Sequence, residues 1–556
     1  MFLLGGGAAA YWVYSQKFSS PSTLPAGVAA IPQDALLTVT LTTDESQWNK
    51  LREFGTAKTQ ADLDKTLVEL RDNLLTENGY DYEKDIKPWV GKEVTIALLT
   101  PESKDASQPS KTPGKNFQDS PSPDQQPAVV VLPIARPGQA QKILANPKPL
   151  KSGKWTDRTY QGFSIRETEG ASPQNYSATV LGKDFLVLSN HPKAMNLALD
   201  SYKQKTSIAN NPGYAKAMEQ IKTDRPFGLL YVNVPVAADL AASNPKRPLS
   251  PENLAQLKQN QGFAAAMAVE PEGLRLRGIS WLNPDSERKH TGKNDAQNMT
   301  SRLPAETLAM FAGSDLQNLW QQYAQGSVSG QALPGNPNRL LEGFKSATNL
   351  DLEQDFLAWM KGEFSLALLP PAPDAKSNFP VGLVFMVEAK DRNAAEKSLS
   401  QLDKVMGERY PLKVDNTTLA NQPVTTWSIR FGGPLVTRGW INGNVAFLTL
   451  GAPVASTILP KPATTLEASE IFQKAIPTEL KASNSRLFID IDRTVRTFNA
   501  TNLPIGKILP TSEETLGAIK TIGLTTNISS DRVIRYDLLV ALNKAGPPKP
   551  LPAPQP

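Results

Sequence analysis

The sequence predicts an α+β protein made of two homologous tandem units, each a mainly antiparallel sheet with helices packed on one face. Three observations lead there. The first is a long-range repeat: DYEKDIKPWVGKEVTIALL at 81–99 returns as DLEQDFLAWMKGEFSLALL at 351–369, identical at eight of 19 positions. Its spacing of 270 residues is domain-sized, well beyond the roughly 20–50 residues of a solenoid repeat. The second is a series of short apolar runs of β type joined by turns, which implies antiparallel neighbours. The third is a stretch of helical periodicity between the first and second of those runs, with Leu63, Leu67, Leu70 and Leu74 on one stripe.

Taken in order, residues 1–14 (MFLLGGGAAAYWVY) carry no charge. They are too short to span a bilayer, which takes about 20 apolar residues. The aromatic pair Tyr11–Trp12 and the polar stretch after it suit the end of a membrane anchor or export signal. Residues 15–30 read as a linker. The first unit is expected over 31–284. It opens with the β-rich run ALLTVTL, continues through two helices, and closes with FAAAMAVE-PEG-LRLRGISWL, a strand pair in which Leu274 and Leu276 alternate with arginines. Within it, 101–127 is rich in Pro, Ser, Asp and Lys and is expected to be a disordered insertion. Residues 285–302 read as a polar linker and 303–543 as the second unit. Pro32/Pro304, Leu36/Leu308 and Trp48/Trp320 recur at a constant 272. The tail 544–556 is proline-rich and expected to be extended.

Composition narrows the function classes. The 556-residue chain carries a net charge of +5 with no long basic run, so nucleic acid is not an expected partner. It has no cysteine, which excludes disulfides, thiol nucleophiles and Cys-ligated metals. Its two histidines, His191 and His290, lie far apart in sequence and make no triad or zinc pattern. No nucleophile elbow or phosphate loop is present.

The sharpest motif is the repeated D-x-E-x-D…W. Asp81, Glu83 and Asp85, with Asp351, Glu353 and Asp355, are the candidate ligands for a hard cation. The motif runs straight into an apolar stretch, however, so it reads better as a capped helix start. Trp48, Trp89, Trp320 and Trp359 then read as structural plugs used once per unit. No catalytic residue, metal or cofactor is assigned.

The opening IPQDALLTVTLTTDESQWNKLREFGT and the segment DIKPWVGKEVTIALL resemble a cyanobacterial membrane-anchored family, that of domain of unknown function 3352. The resemblance covers about 31–543 and rests most on Pro32, Asp34, Asp85, Trp89, Gly91, Glu93 and Ala97. The second copy keeps Asp355, Trp359, Glu363 and Ala367 but has Lys361 in place of Gly91. The resemblance implies an N-terminal anchor and a bulk facing the periplasm or thylakoid lumen. It transfers no activity and no functional residue. The expected function is a non-enzymatic binding or scaffold protein whose partner is an unknown protein or an apolar ligand. The alternatives are a carrier of lipid or another apolar molecule, and an envelope hydrolase using carboxylates.

Overall fold

The computed structural model describes residues 24–553, apart from 77–78, 102–125, 151, 172–174, 244–250, 325–336, 374, 376, 378, 430–432, 481 and 500–511. The anchor expected at 1–14 and nearly all of the insertion expected at 101–127 lie outside the described residues.

The first half supplies β1 (Leu37–Thr42), β2 (Glu93–Leu98), β3 (Ala128–Pro133), β4 (Lys154–Tyr160), β5 (Phe163–Glu169), β6 (Ser177–Leu181), β7 (Phe185–Ser189), β8 (Gly228–Asn233), β9 (Asn260–Glu270) and β10 (Gly273–Leu282). The second half supplies β11 (Ala309–Gly313), β12 (Phe364–Leu369), β13 (Gly382–Glu388), β14 (Leu412–Leu419), β15 (Gln422–Ile429), β16 (Pro434–Ile441), β17 (Val445–Gly451), β18 (Ser485–Asp490), β19 (Ile519–Ser530) and β20 (Val533–Leu542). Every ladder among the described residues is antiparallel.

From its outer edge inward, the first half runs β4-β5-β6-β7-β3-β2-β1-β8-β9-β10. The second runs β14-β15-β16-β17-β13-β12-β11-β18-β19-β20. The order is the same, strand for strand. The halves meet where β10 pairs with β20, so all 20 strands form one sheet. At that seam Arg277 faces Asp537, and each is the fifth residue of its strand. A local twofold therefore passes through this pair.

The α+β class with an antiparallel sheet is what the structure shows. The helices, however, cover both faces rather than one. In β13 the run Gly382–Glu388 has no polar alternation, so Val384 and Met386 enter one core while Phe385 and Val387 enter the other. The first face carries the helices Pro192–Gln204 and Tyr214–Gln220 in the first half, and Ala455–Ile458 and Glu470–Ala475 in the second. The other face carries Pro137–Ala145 and the Trp89 motif, then Arg392–Arg409 and the Trp359 motif.

Two expected linkers are structural. Residues 26–30 form a 3₁₀ turn whose Val28 and Ala30 are buried in the first core, so that half begins before 31. In 285–302, Ala296 and Met299 are buried and His290 is 7% exposed; its N–H donates to Asp531 O at 2.7 Å. A chain that looks polar is pinned because its backbone completes the ends of β19 and β20. Close packing also fixes two glycines: Gly213 (φ +81°) and Gly262 leave room for the Trp281 indole, which a Cβ at either would meet within about 2.5 Å.

Candidate functional site

The D-x-E-x-D…W motif builds the same small device twice. Asp81 precedes the π-helical turn Tyr82–Ile86, and its Oδ1 accepts the Lys84 N–H at 2.9 Å. Asp85 Oδ2 accepts the Asp81 N–H in return at 2.8 Å. The Trp89 indole donates to Asp85 O at 2.6 Å and is 1% exposed. In the second half Asp351 accepts from Glu353 N and Gln354 N, Asp355 accepts from Asp351 N, and Trp359 donates to Asp355 O. The two aspartates cap the turn reciprocally and the tryptophan plugs it onto the sheet.

The glutamates diverge. Glu83 pairs with Lys87, whereas Glu353 takes the indole N–H of Trp320 at 2.9 Å. Trp48 instead donates to Thr42 O and meets Phe227 edge-on at 4.7 Å. No group of three His, Asp or Glu among the described residues has the arrangement to hold a metal ion.

Glu93 and Glu363, each four residues after the tryptophan of its motif, form a second repeated device. Glu93 accepts the Ala26 N–H at 2.6 Å. Glu363 accepts Asn298 N at 2.8 Å and Met299 N at 3.0 Å. Each ties the leading 3₁₀ turn of its half to the sheet. Burial pushes the Glu363 carboxyl above its ordinary pKa, opposed by those N–H donors. It borders a half-open polar cavity of about 620 Å³ that Lys361, Glu388, Lys390 and Asn318 also line.

The larger feature is the central sheet, where a largely polar row runs through the enclosed face and an apolar row through the other. On one face the row in register runs Thr95, Thr40, Leu229, Ala266, Arg277, Asp537, Thr525, Arg486, Ala312 and Ser365, polar at seven of ten positions. Of the polar residues, Thr95, Thr40, Asp537, Thr525 and Ser365 are buried. Some of these polar groups pair with one another, whereas the buried Thr525 and Ser365 hydroxyls have no hydrogen-bond partner among the described residues. Thr40 and Thr95 share a hydrogen bond at 2.9 Å. Arg275 clasps Asp537 through two bonds of 2.9 and 2.7 Å, and Glu479 reaches Arg277 at 2.8 Å. The hydrogen bonds to Asp537 hold the Arg275 guanidinium well above its ordinary pKa.

On the opposite face the row in register is Leu41, Gly228, Met267, Leu276, Leu538, Leu524, Leu487, Phe311 and Leu366. All are apolar. Except for Gly228, none is fully buried, and Leu366 is 42% exposed. Buried polar groups and a partly exposed apolar row are the two informative departures from ordinary packing. Here they lie back to back. Counting from β1 to β12, the ribbon crosses nine strands, about 38 Å at about 4.8 Å per step.

Above that face, Ile491, Phe498 and Leu516 pack over Ile489 and Ile522. The helix Val234–Ala242 packs on β8 and β9. These covers leave the ribbon partly open. Periodicity marks Leu274 and Leu276 as one face of β10 and Arg275 and Arg277 as the other, but it does not say which face is enclosed.

Fold and site together define an antiparallel α+β protein with a half-covered apolar sheet face. The chain belongs to the family described as Protein of unknown function (DUF3352), whose model matches residues 1–542. No curated protein matches it. Among solved structures, crystal form III of TP0453 aligns at 11% identity over 46% of this chain and 80% of that one, with a TM-score of 0.24. Crystal form IV gives 10%, 48%, 83% and 0.24, and form I gives 8%, 46%, 78% and 0.25. No inference rests on likeness at that level. No helix among the described residues is long and apolar enough to cross a membrane.

Proposed function

We propose that this protein is a non-enzymatic extracytoplasmic binding protein that holds an elongated apolar ligand of the acyl-lipid class. The tether to a membrane through 1–14, and a location in the periplasm or thylakoid lumen, belong to the same proposal and rest on the uncharged N-terminal stretch and the family resemblance. One observation carries the ligand: the half-buried apolar row from Leu41 to Leu366.

Its dimensions favour a narrow occupant. A helix with its side chains is about 10 Å across and would have to displace the covering helices. A lipid tail would not. A tail reaching half the roughly 30 Å hydrocarbon core of a bilayer fits within the ribbon's length. Carboxylate hydrolysis is less well supported, because Glu363 has its counterpart Glu93 in the same capping role.

The test is recovery of the protein from its native membrane, organic extraction, and mass spectrometry of what was bound, with titration of a fluorescent fatty-acid probe. Saturable probe binding is expected, reduced at least ten-fold in Leu276→Glu or Leu538→Glu with circular dichroism unchanged. Absence of co-purified lipid, with identical probe binding in the variants, overturns the reading.

A further inference from the structure

The C-terminal tail does not stand free. It leaves β20 and crosses onto two helices of the first half, Glu45–Arg52 and Ala57–Leu74. Backbone bonds begin the contact: Gly55 N donates to Asn543 O at 2.6 Å, and Ala545 N donates to Glu53 O at 2.9 Å. Beyond that point the tail reads Gly546-Pro-Pro-Lys-Pro-Leu-Pro552. Four of these seven residues are proline and have no N–H to offer, so the tail engages through its carbonyls.

Three side chains take them. Gln60 Nε2 donates to Gly546 O at 3.3 Å, Arg52 Nη2 to Lys549 O at 2.5 Å, and Arg71 Nη1 to Pro552 O at 2.6 Å. The three carbonyls lie three residues apart. From Pro547 on, that is the period of the polyproline II helix, which has three residues per turn and leaves its backbone without internal hydrogen bonds, while Gly546 at φ +102° turns the chain into it. One side of such a helix presents every third carbonyl to a single row of donors.

The donors are built into place. Arg52 is 5% exposed and is fixed to Asp64 through Nε at 2.6 Å and Nη2 at 3.0 Å. Arg71 is held by Asp72 at 2.8 Å. Gln60 also donates to Arg52 O at 2.5 Å.

From this geometry we infer that the helix pair 45–74 is a receptor for proline-rich segments in the polyproline II conformation, occupied in this chain by its own tail. The recognition is of backbone carbonyls at a three-residue spacing, so the ligand is defined by conformation more than by side chains. A segment of the same chemistry supplied in trans competes for the same row. This site is independent of the apolar ribbon. The covalently attached tail acts at an effective concentration near the millimolar range, so a free peptide faces strong competition in the parent chain.

The experiment exploits that competition. A fluorescein-labelled peptide of residues 544–556 is titrated into the full chain and into a full-length variant with Pro547, Pro548, Pro550 and Pro552 changed to Gly, and anisotropy is read. The variant tail no longer favours the extended form, so the labelled peptide is expected to bind it at least ten-fold more tightly than the parent. Adding Gln60→Ala and Arg71→Ala to that variant is expected to abolish the gain, with the thermal melt as the check on folding. A peptide with its prolines replaced by Gly is expected not to bind. Equal affinity for parent and variant, or equal binding of the proline-free peptide, overturns the inference.

Discussion

The two faces of the central sheet use the same strands to opposite ends. On one, buried Asp537 is answered by Arg275 and buried Thr40 by Thr95; on the other, Met267, Leu276, Leu538 and Leu524 face an incompletely filled layer. The enclosed face gains specificity from polar groups that have to find each other. The open face leaves apolar area in contact with solvent, at roughly 25 cal/mol per Å² that burial would recover. The difference teaches that burial, not residue type, marks which face supports the fold and which is left partly in contact with solvent.

The comparison breaks first at Asp537. Changing it to Ala takes the main partner from the partly buried Arg275 guanidinium and leaves it the longer contacts to Glu270 and Glu479. The expected loss is about 3–5 kcal/mol, read as a lower urea midpoint at unchanged slope. A loss below about 1 kcal/mol would mean that the polar face is not what holds the seam.

The next largest effect follows pH. His290 lies in the strap that closes the polar end of the seam. Burial lowers its pKa to about 4, assisted by Arg288 and opposed by Asp531. The folded state therefore prefers neutral imidazole, while the unfolded chain takes up a proton below about pH 6.5. Stability attributable to His290 is complete above pH 6.5 and falls as pH drops toward 4, by a few kcal/mol at most. Denaturation midpoints across that window are expected to decline less steeply in His290→Gln; parallel profiles would remove the group from the account.

The smallest effect sharpens the likeness between the halves. Asp81→Ala and Asp351→Ala each remove a cap and are expected to cost about 1 kcal/mol, nearly equally. Thermal melts that separate the two widely would show that the repeated motif does different work in each half.

Much of this was legible in the sequence, and the limits are instructive. The repeat located Asp81, Trp89 and their partners, because capping is local and its signals lie within ten residues. The β9–β10 hairpin was legible from alternation. That Leu276 would lie on the open face was not, because enclosure is decided by what packs over the sheet, such as the helix Ile491–Asn499, more than 200 residues away in the chain. Residues 285–302 looked like a linker because their composition is polar, yet their backbone is tied to Asp531, Ser483 and Glu363. The row Arg52, Gln60 and Arg71 had no signal at all. Its meaning appears only when the far end of the chain arrives.

The pair at the local twofold also bears on how many chains assemble. A ladder with such symmetry invites exchange, since either central strand could pair with its own copy in another molecule. Two copies of β10 would set Arg277 against Arg277, and two copies of β20 would set Asp537 against Asp537. Like charges directly opposite in a ladder are unfavourable. Only the combination of β10 with β20 is neutral, so a single charge difference disfavours pairing of either central strand with its own copy.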